Sequence, residues 1–246
     1  MKYLLPLLLA LIPGLAQAVE CREESFRGDS YTICEVRPAT DDLRLFLRDA
    51  EGAVFGHFAK LDAALAADGK RLSFAMNAGM YHDDRRPVGY YLEEGVEAQR
   101  VVSSAGPGNF GLLPNGILCL RPGRADVIET RAFVANPPAC QSATQSGPML
   151  VIDGALHPRF LPDSTSRFIR NGVGTTLDGS RAVFVISNNV VTFHAFGSFF
   201  KDHLGLPNAL YLDGNVSRIR APGLGRDDAG FTNLGPIIGV VTPAAE

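Results

Sequence analysis

Tryptophan is absent from the 246 residues, and lysine nearly so: four lysines (Lys2, Lys60, Lys70, Lys201) stand beside 19 arginines. No block of like charge marks a nucleic-acid-binding arm, and the formal net charge is only −3. No apolar run reaches the roughly 20 residues that span a bilayer. There is no C-x-x-C pair, H-E-x-x-H, G-x-S-x-G or Walker loop in the chain, so zinc-knuckle, zincin, serine-hydrolase and P-loop chemistry all lack their signatures. The five histidines (His57, His82, His157, His194, His203) are scattered and show no ligand spacing. With 46% hydrophobic residues the chain is too apolar to stay disordered, and its length suits one large domain.

Residues 1–18 read as an export signal: Lys2 is basic, Leu4–Leu15 is a short apolar run broken by Pro6 and Pro13, and Ala16-Gln17-Ala18 is a small-x-small cleavage site. The expectation is a mature domain over 19–246, periplasmic or secreted, with no integral membrane segment after processing. Without Lys2, 22 basic against 26 acidic residues give −4, which argues against a bulk attraction to anionic polymers. All four cysteines lie in the mature part. An even count in an exported chain favours disulfides, with three possible pairings. Pairing neighbours, Cys21 with Cys34 and Cys119 with Cys140, closes the shortest loops and is the expected arrangement.

Periodicity gives an α+β expectation: a single domain with a mixed or antiparallel sheet core and two or more packed helices. Leu43, Leu45 and Leu47 alternate as in a strand, while Val54, Phe55, Phe58, Leu61 and Leu65 take helical spacing up to a stop at Gly69. A second helix is expected over 195–204, with Phe196, Phe199, Phe200 and Leu204 on one side. Strands are expected at 71–76, 89–92, 96–102, 110–113, 117–120, 125–129, 209–212 and 237–241. Hairpins are expected around Asp153-Gly154 and Asp178-Gly179.

Five loops carry amide, hydroxyl or charged residues beside glycine at strand ends, where sites tend to be built. They are Asn77-Ala78-Gly79-Met80-Tyr81, Gln145-Ser146-Gly147-Pro148, Arg167 to Gly172, Ser187-Asn188-Asn189, and Asp213-Gly214-Asn215-Val216-Ser217. The segments FAMNAGMY, ATQSGPMLV, RNGVGTTLDG and NALYLDGNVS, in this order from about Leu72 onward, resemble the phosphodiester glycosidase domain family. Two departures stand out: Asn77-Ala78-Gly79 lacks a double glycine, and Asp213-Gly214-Asn215 replaces a glycine run before serine.

The resemblance implies hydrolysis of a sugar 1-phosphodiester at the anomeric carbon, releasing sugar and a phosphate monoester. Such a leaving group is a weak base and needs charge stabilisation more than protonation, which a guanidinium fork supplies. Arg170 is the first candidate for that role and Arg167 the second. Asp213, at a strand end, is the candidate carboxylate that activates water or attacks the sugar. Asn77, Gly79, Gln145, Ser146, Gly147, Asn188, Gly214 and Ser217 are the candidate substrate-binding positions. Asp178, Asp153 and Glu93 are considered for the second carboxylate that glycosidases use.

No cofactor is required; a Ca²⁺ or Mg²⁺ ion could sit among Asp213, Asn77 and phosphate oxygens, because hard ions take oxygen ligands. The partner expected is a small molecule or glycan bearing a sugar-phosphate linkage. The competing readings are a non-catalytic carbohydrate-binding envelope protein, with Tyr81, Tyr90, Tyr91 and Tyr211 available for stacking, and a structural envelope protein whose loops only turn.

Overall fold

The computed structural model describes residues 19–213 and 216–244. The expected signal over 1–18 and the candidate Gly214 lie outside the described residues.

The chain opens with strands β1 (Glu20–Phe26), β2 (Asp29–Val36) and β3 (Asp42–Phe46), then helix α1 (Phe58–Ala66). It continues through β4 (Lys70–Asn77), β5 (Tyr91–Glu93), β6 (Val96–Gln99), β7 (Gly116–Arg121) and β8 (Arg124–Glu129) to α2 (Thr130–Ala135). Next come β9 (Ser142–Ser146), β10 (Met149–Ile152), β11 (Ala155–Leu156), β12 (Asn171–Thr175) and β13 (Ala182–Ser187). Helix α3 (Phe193–Ser198) runs on into a π-helical turn, Phe199–His203. The chain closes with β14 (Asn208–Asp213), β15 (Ile219–Ala221), β16 (Arg226–Asp227) and β17 (Ile237–Pro243).

The strands form three sheets, ordered β1-β2-β13-β12-β14-β10-β11, β16-β15-β4-β17-β3 and β6-β5-β9-β7-β8. Their pairings are antiparallel, so of the two expected sheet types the antiparallel one is present. Alternation decides which face meets which layer. On β13, Ala182, Phe184 and Ile186 enter a core shared by all three sheets, and Val183 and Val185 face outward onto α3. On β14, Leu210 and Leu212 face the shared core, and Ala209 and Tyr211 the α3 side. Leu45 and Leu47 point to the core while Phe46 meets Phe58 and Leu61 of α1. Phe133 of α2 packs with Ile117 and Ala143 over the third sheet. Each sheet therefore buries one face against the others and is covered on its second face by a helix.

Both disulfides are present as expected: Cys21–Cys34 bridges directly paired residues of β1 and β2, and Cys119–Cys140 ties β7 to the segment before β9. Where β4 meets β17, Ser73 is an extra residue, with Phe74 opposite Val240 and Leu72 opposite Val241. This bulge turns Leu72 toward α1 while Phe74 stays in the shared core.

Several expectations shift. The first helix begins at Phe58, because Gly56 takes φ +68° and Val54 is held in a bridge with Arg48. The second starts earlier, at Phe193, where Thr192 caps it by accepting from the Ala195 N–H at 3.0 Å. Residues 110–113 are turns rather than a strand. Gln145 and Ser146 end a strand instead of opening a loop.

Candidate functional site

Strands from all three sheets end at one place, and their terminal side chains stitch the sheets together. Asn171, the first residue of β12, donates from Nδ2 to the Asn77 carbonyl (3.0 Å) and to Asn77 Oδ1 (3.1 Å) at the end of β4. Its Oδ1 accepts the backbone N–H of Asp213 at the end of β14 (2.9 Å). Ser146, the last residue of β9, donates to the Leu212 carbonyl at 2.9 Å. Ser217 donates to the Asp213 carbonyl, also at 2.9 Å. The backbone around Asp213 is thus held on both sides by side chains from three of the four sequence motifs. Thr144 donates to the Ala78 carbonyl at 2.7 Å, and Gly79 follows at φ +124°, where an added Cβ would lie 3.1 Å from Thr144 Oγ1. That conformation and close approach explain the glycine of the first motif.

Beside this junction lies a cleft of about 580 Å³. Tyr211 and Asp213, two apart on β14, both line it. The segment 80–88 contributes Met80, Tyr81, His82, Asp83, Arg85 and Val88, and Asn109, Phe168, Val216 and Thr232 complete the lining. The 80–88 segment is a short β-like loop: Tyr81 bridges Pro87, and the Val88 N–H donates to the Met80 carbonyl at 3.0 Å. Arg85, at φ 69°, places its guanidinium carbon 5.4 Å from the centre of the Tyr81 ring. Burial pushes the Tyr81 hydroxyl pKa up and the Asp213 charge adds to this, while the cations Arg85 and Arg218 oppose it. The cleft thus combines a carboxylate only 8% exposed, aromatic rings and a guanidinium.

The candidates separate into those at the cleft, those that build it and those elsewhere. Asp213 lines it; Asn77, Gly79, Ser146 and Ser217 belong to the junction behind it. Asn77 is fully buried, its Oδ1 accepts from Asn171 and from the Arg218 N–H, and among the described residues its Nδ2 has no partner. Both lone pairs of that oxygen are in use within the protein. Gly147 is placed by packing, since a Cβ would lie 2.6 Å from Asn115 Cβ.

Four candidates sit where ligand contact is not their geometry. Gln145 donates to the Val102 carbonyl and Thr130 Oγ1 and accepts from the N–H groups of Tyr90 and Val102, so its amide is fully used. Asn188 joins Thr32, Ser30 and Arg226, away from the cleft lining. Arg167 is exposed outside that lining. Arg170, expected on the phosphate, is 1% exposed and lies behind Tyr211, with its guanidinium carbon 3.7 Å from the centre of the Phe193 ring.

The carboxylates considered as a second acid are also elsewhere. Asp178 accepts from Thr176 and Ser180 in an exposed turn, Asp153 occupies a turn at φ 46°, and Glu93 accepts from the Tyr91 hydroxyl at 2.7 Å. The second carboxylate lining the cleft is Asp83. Of the stacking tyrosines, Tyr81 and Tyr211 line the cleft; Tyr91 is buried in the shared core and Tyr90 packs on Phe133.

Sequence reasoning did not single out Asn171, which builds the junction, or Asp83 and Arg85, which line the cleft. Asn171 stands inside the R-N-G motif, and the charged run His82 to Arg86 directly follows the N-A-G-M-Y motif, so both carried a signal. Gly172 and Gly174, in the same motif as Asn171, serve packing: added Cβ atoms would meet the Leu210 carbonyl at 2.7 Å and Leu206 and Phe200 at 2.8 and 2.9 Å.

Residues 70–221 match the family model described as phosphodiester glycosidase. An Escherichia coli protein, the uncharacterised YigE, is 32% identical over 220 residues, covering 88% of this chain and 84% of its own. In fold, the chain is similar to the zebrafish N-acetylglucosamine-1-phosphodiester alpha-N-acetylglucosaminidase catalytic domain, auto-inhibited by its pro-peptide. The TM-score is 0.60 at 12% identity over 90% of this chain and 81% of that one. A Burkholderia pseudomallei protein described as exported matches with a TM-score of 0.58 at 11% identity, over 86% and 74% of the two chains.

Proposed function

The chain belongs to the phosphodiester glycosidase family, and on that premise we propose that it hydrolyses a sugar 1-phosphodiester by breaking the bond between the anomeric carbon and its oxygen. The observation that carries this reading is Asp213, a nearly buried carboxylate facing a cleft that also holds Arg85, Tyr81 and Tyr211. Asp213 delivers water to the anomeric carbon or attacks it directly. Tyr81 and Phe168 offer ring faces to the sugar. Arg85, rather than the buried Arg170 or the exposed Arg167, meets the phosphate oxygens and stabilises the departing monoester. Asp83 is the partner in the two-carboxylate arrangement of glycosidases.

The action is placed outside the cytoplasm, in the periplasm or medium. The two disulfides support this, because such bonds persist in oxidising compartments. Among the described residues, no helix is long and apolar enough to cross a membrane.

The test is hydrolysis of a panel of sugar 1-phosphodiesters in ¹⁸O-labelled water. The expected products are a sugar carrying ¹⁸O and an unlabelled phosphate monoester. Label in the phosphate, with the phosphate left on the sugar, would mean P–O cleavage and a phosphodiesterase. Binding without any product would mean a carbohydrate-binding protein.

A further inference from the structure

Among the described residues, Arg170 is the largest fully buried side chain, and no carboxylate lies within ion-pair distance of it. Its Nε donates to the Val191 carbonyl at 3.0 Å and Nη2 to the Ser166 carbonyl at 3.2 Å. The rings of Phe193, Phe168 and Tyr211 surround the guanidinium carbon at 3.7, 5.3 and 5.5 Å. Its remaining contact is Nη1 to the Tyr211 hydroxyl oxygen at 3.4 Å. Two carbonyls and the ring faces offset part of the cost of burying this cation, and the charge itself remains.

A guanidinium carries donors only. Toward Arg170 the Tyr211 oxygen must therefore accept, and its own hydrogen must point elsewhere. Tyr211, only 1% exposed, lines the cleft near Asp213, and the Asn109 side chain is a second hydrogen-bond partner of its hydroxyl. Burial pushes its hydroxyl pKa up, so the proton stays on at neutral pH. A cation behind the oxygen polarises the O–H bond and makes it a stronger donor to an anion.

We propose that the Tyr211 hydroxyl donates to a phosphate oxygen of the bound diester, and that Arg170 is a positioning residue that aims this hydroxyl from behind. The inference rests on the phosphodiester reading of the cleft. It gives the buried arginine an indirect part in phosphate recognition, through a tyrosine that does touch the ligand.

The test is calorimetric titration of the mature protein with inorganic phosphate. Tyr211→Phe keeps the ring and is expected to weaken phosphate binding by about tenfold or more, the scale of a hydrogen bond to a charged group. Arg170→Gln should weaken binding in the wild-type background and have no further effect once Tyr211→Phe is present. Unchanged affinity in Tyr211→Phe, or losses that simply add, would overturn the proposal. So would a shift in the pH profile of turnover without a change in phosphate affinity, which would assign the hydrogen to Asp213. If Arg170→Gln does not fold, Tyr211→Phe decides alone.

Turnover of the diester panel is scored separately. Hydrolysis with phosphate binding indifferent to Tyr211 sinks this pairing only, whereas Tyr211-dependent binding with no hydrolysis sinks the proposed function.

Discussion

Asn171 Oδ1 accepts the backbone N–H of Asp213 at 2.9 Å, so the first residue of one strand holds the last residue of its neighbour. The same side chain reaches Asn77 through Nδ2 and thereby joins two sheets at the edge of the cleft. The position of the proposed catalytic carboxylate is set by an amide that need not touch the substrate.

Asn171→Ala is expected to lower stability by about 1–3 kcal/mol, because it strands buried partners at Asn77 and Asp213. In a chain of this size that corresponds to roughly 2–4 °C in Tm per kcal/mol. Turnover should fall by about a hundredfold, the scale of a misplacement of about 1 Å at a reacting group. Thermal melts and steady-state kinetics check the pair; a loss of stability with full turnover would remove Asn171 from the site's support.

Gly172→Ala is expected to destabilise more than Gly174→Ala. The first Cβ would press on the Leu210 carbonyl at 2.7 Å, whereas the second meets side-chain carbons of Leu206 and Phe200 rather than backbone. Overpacking of this kind costs about 1–3 kcal/mol. Equal melting temperatures for the two variants would contradict the backbone clash.

Asp178 separates a structural carboxylate from a catalytic one. The Thr176 hydroxyl and the Ser180 N–H and hydroxyl hold its pKa down at about 2, against an ordinary 3.8. A depressed carboxylate contributes stability that is fully present above its unfolded pKa and lost as pH falls through the folded one. The part of the stability difference between wild type and Asp178→Ala that comes from the charge should therefore be constant above about pH 5 and be lost progressively as pH falls toward about 1. Denaturant titrations across that window read it, and turnover at neutral pH should be unchanged, since Asp178 lies outside the cleft lining.

Reduction of the two disulfides is expected to lower stability by about 2–4 kcal/mol per bridge, through the added freedom of the unfolded chain. Each bridge removed singly by a paired cysteine-to-serine substitution should lower Tm. A Tm indifferent to reductant would contradict a structural role for the bridges.

The fold was legible where alternation was strong or an apolar run unbroken. Leu43, Leu45 and Leu47 alternate along a strand with one face toward the shared core, and the runs at 182–187 and 209–212 are unbroken because both of their faces are buried, one in that core and one on the α3 side. Short strands such as β15 and the edge strand β16, and the six-residue α2, carry too few residues for a period to show. The motifs located the end of the molecule where the cleft lies, but not which residues face it. Gln145 and Asn188 have the chemistry of ligand-binding side chains, yet their hydrogen bonds are spent within the protein. Arg170 has the right charge for phosphate, but its direction depends on how Phe193 and Tyr211 pack around it, a long-range relationship that residue spacing does not encode.

The central claim is that Asp213 performs the hydrolysis. Its most direct test is Asp213→Asn assayed beside wild type on a sugar 1-phosphodiester that wild type cleaves, with melting curves showing that both are folded. The account predicts a folded variant whose turnover falls by at least about a thousandfold while the diester still binds, as expected when a group acting in the transition state is removed. Full turnover by folded Asp213→Asn would contradict it.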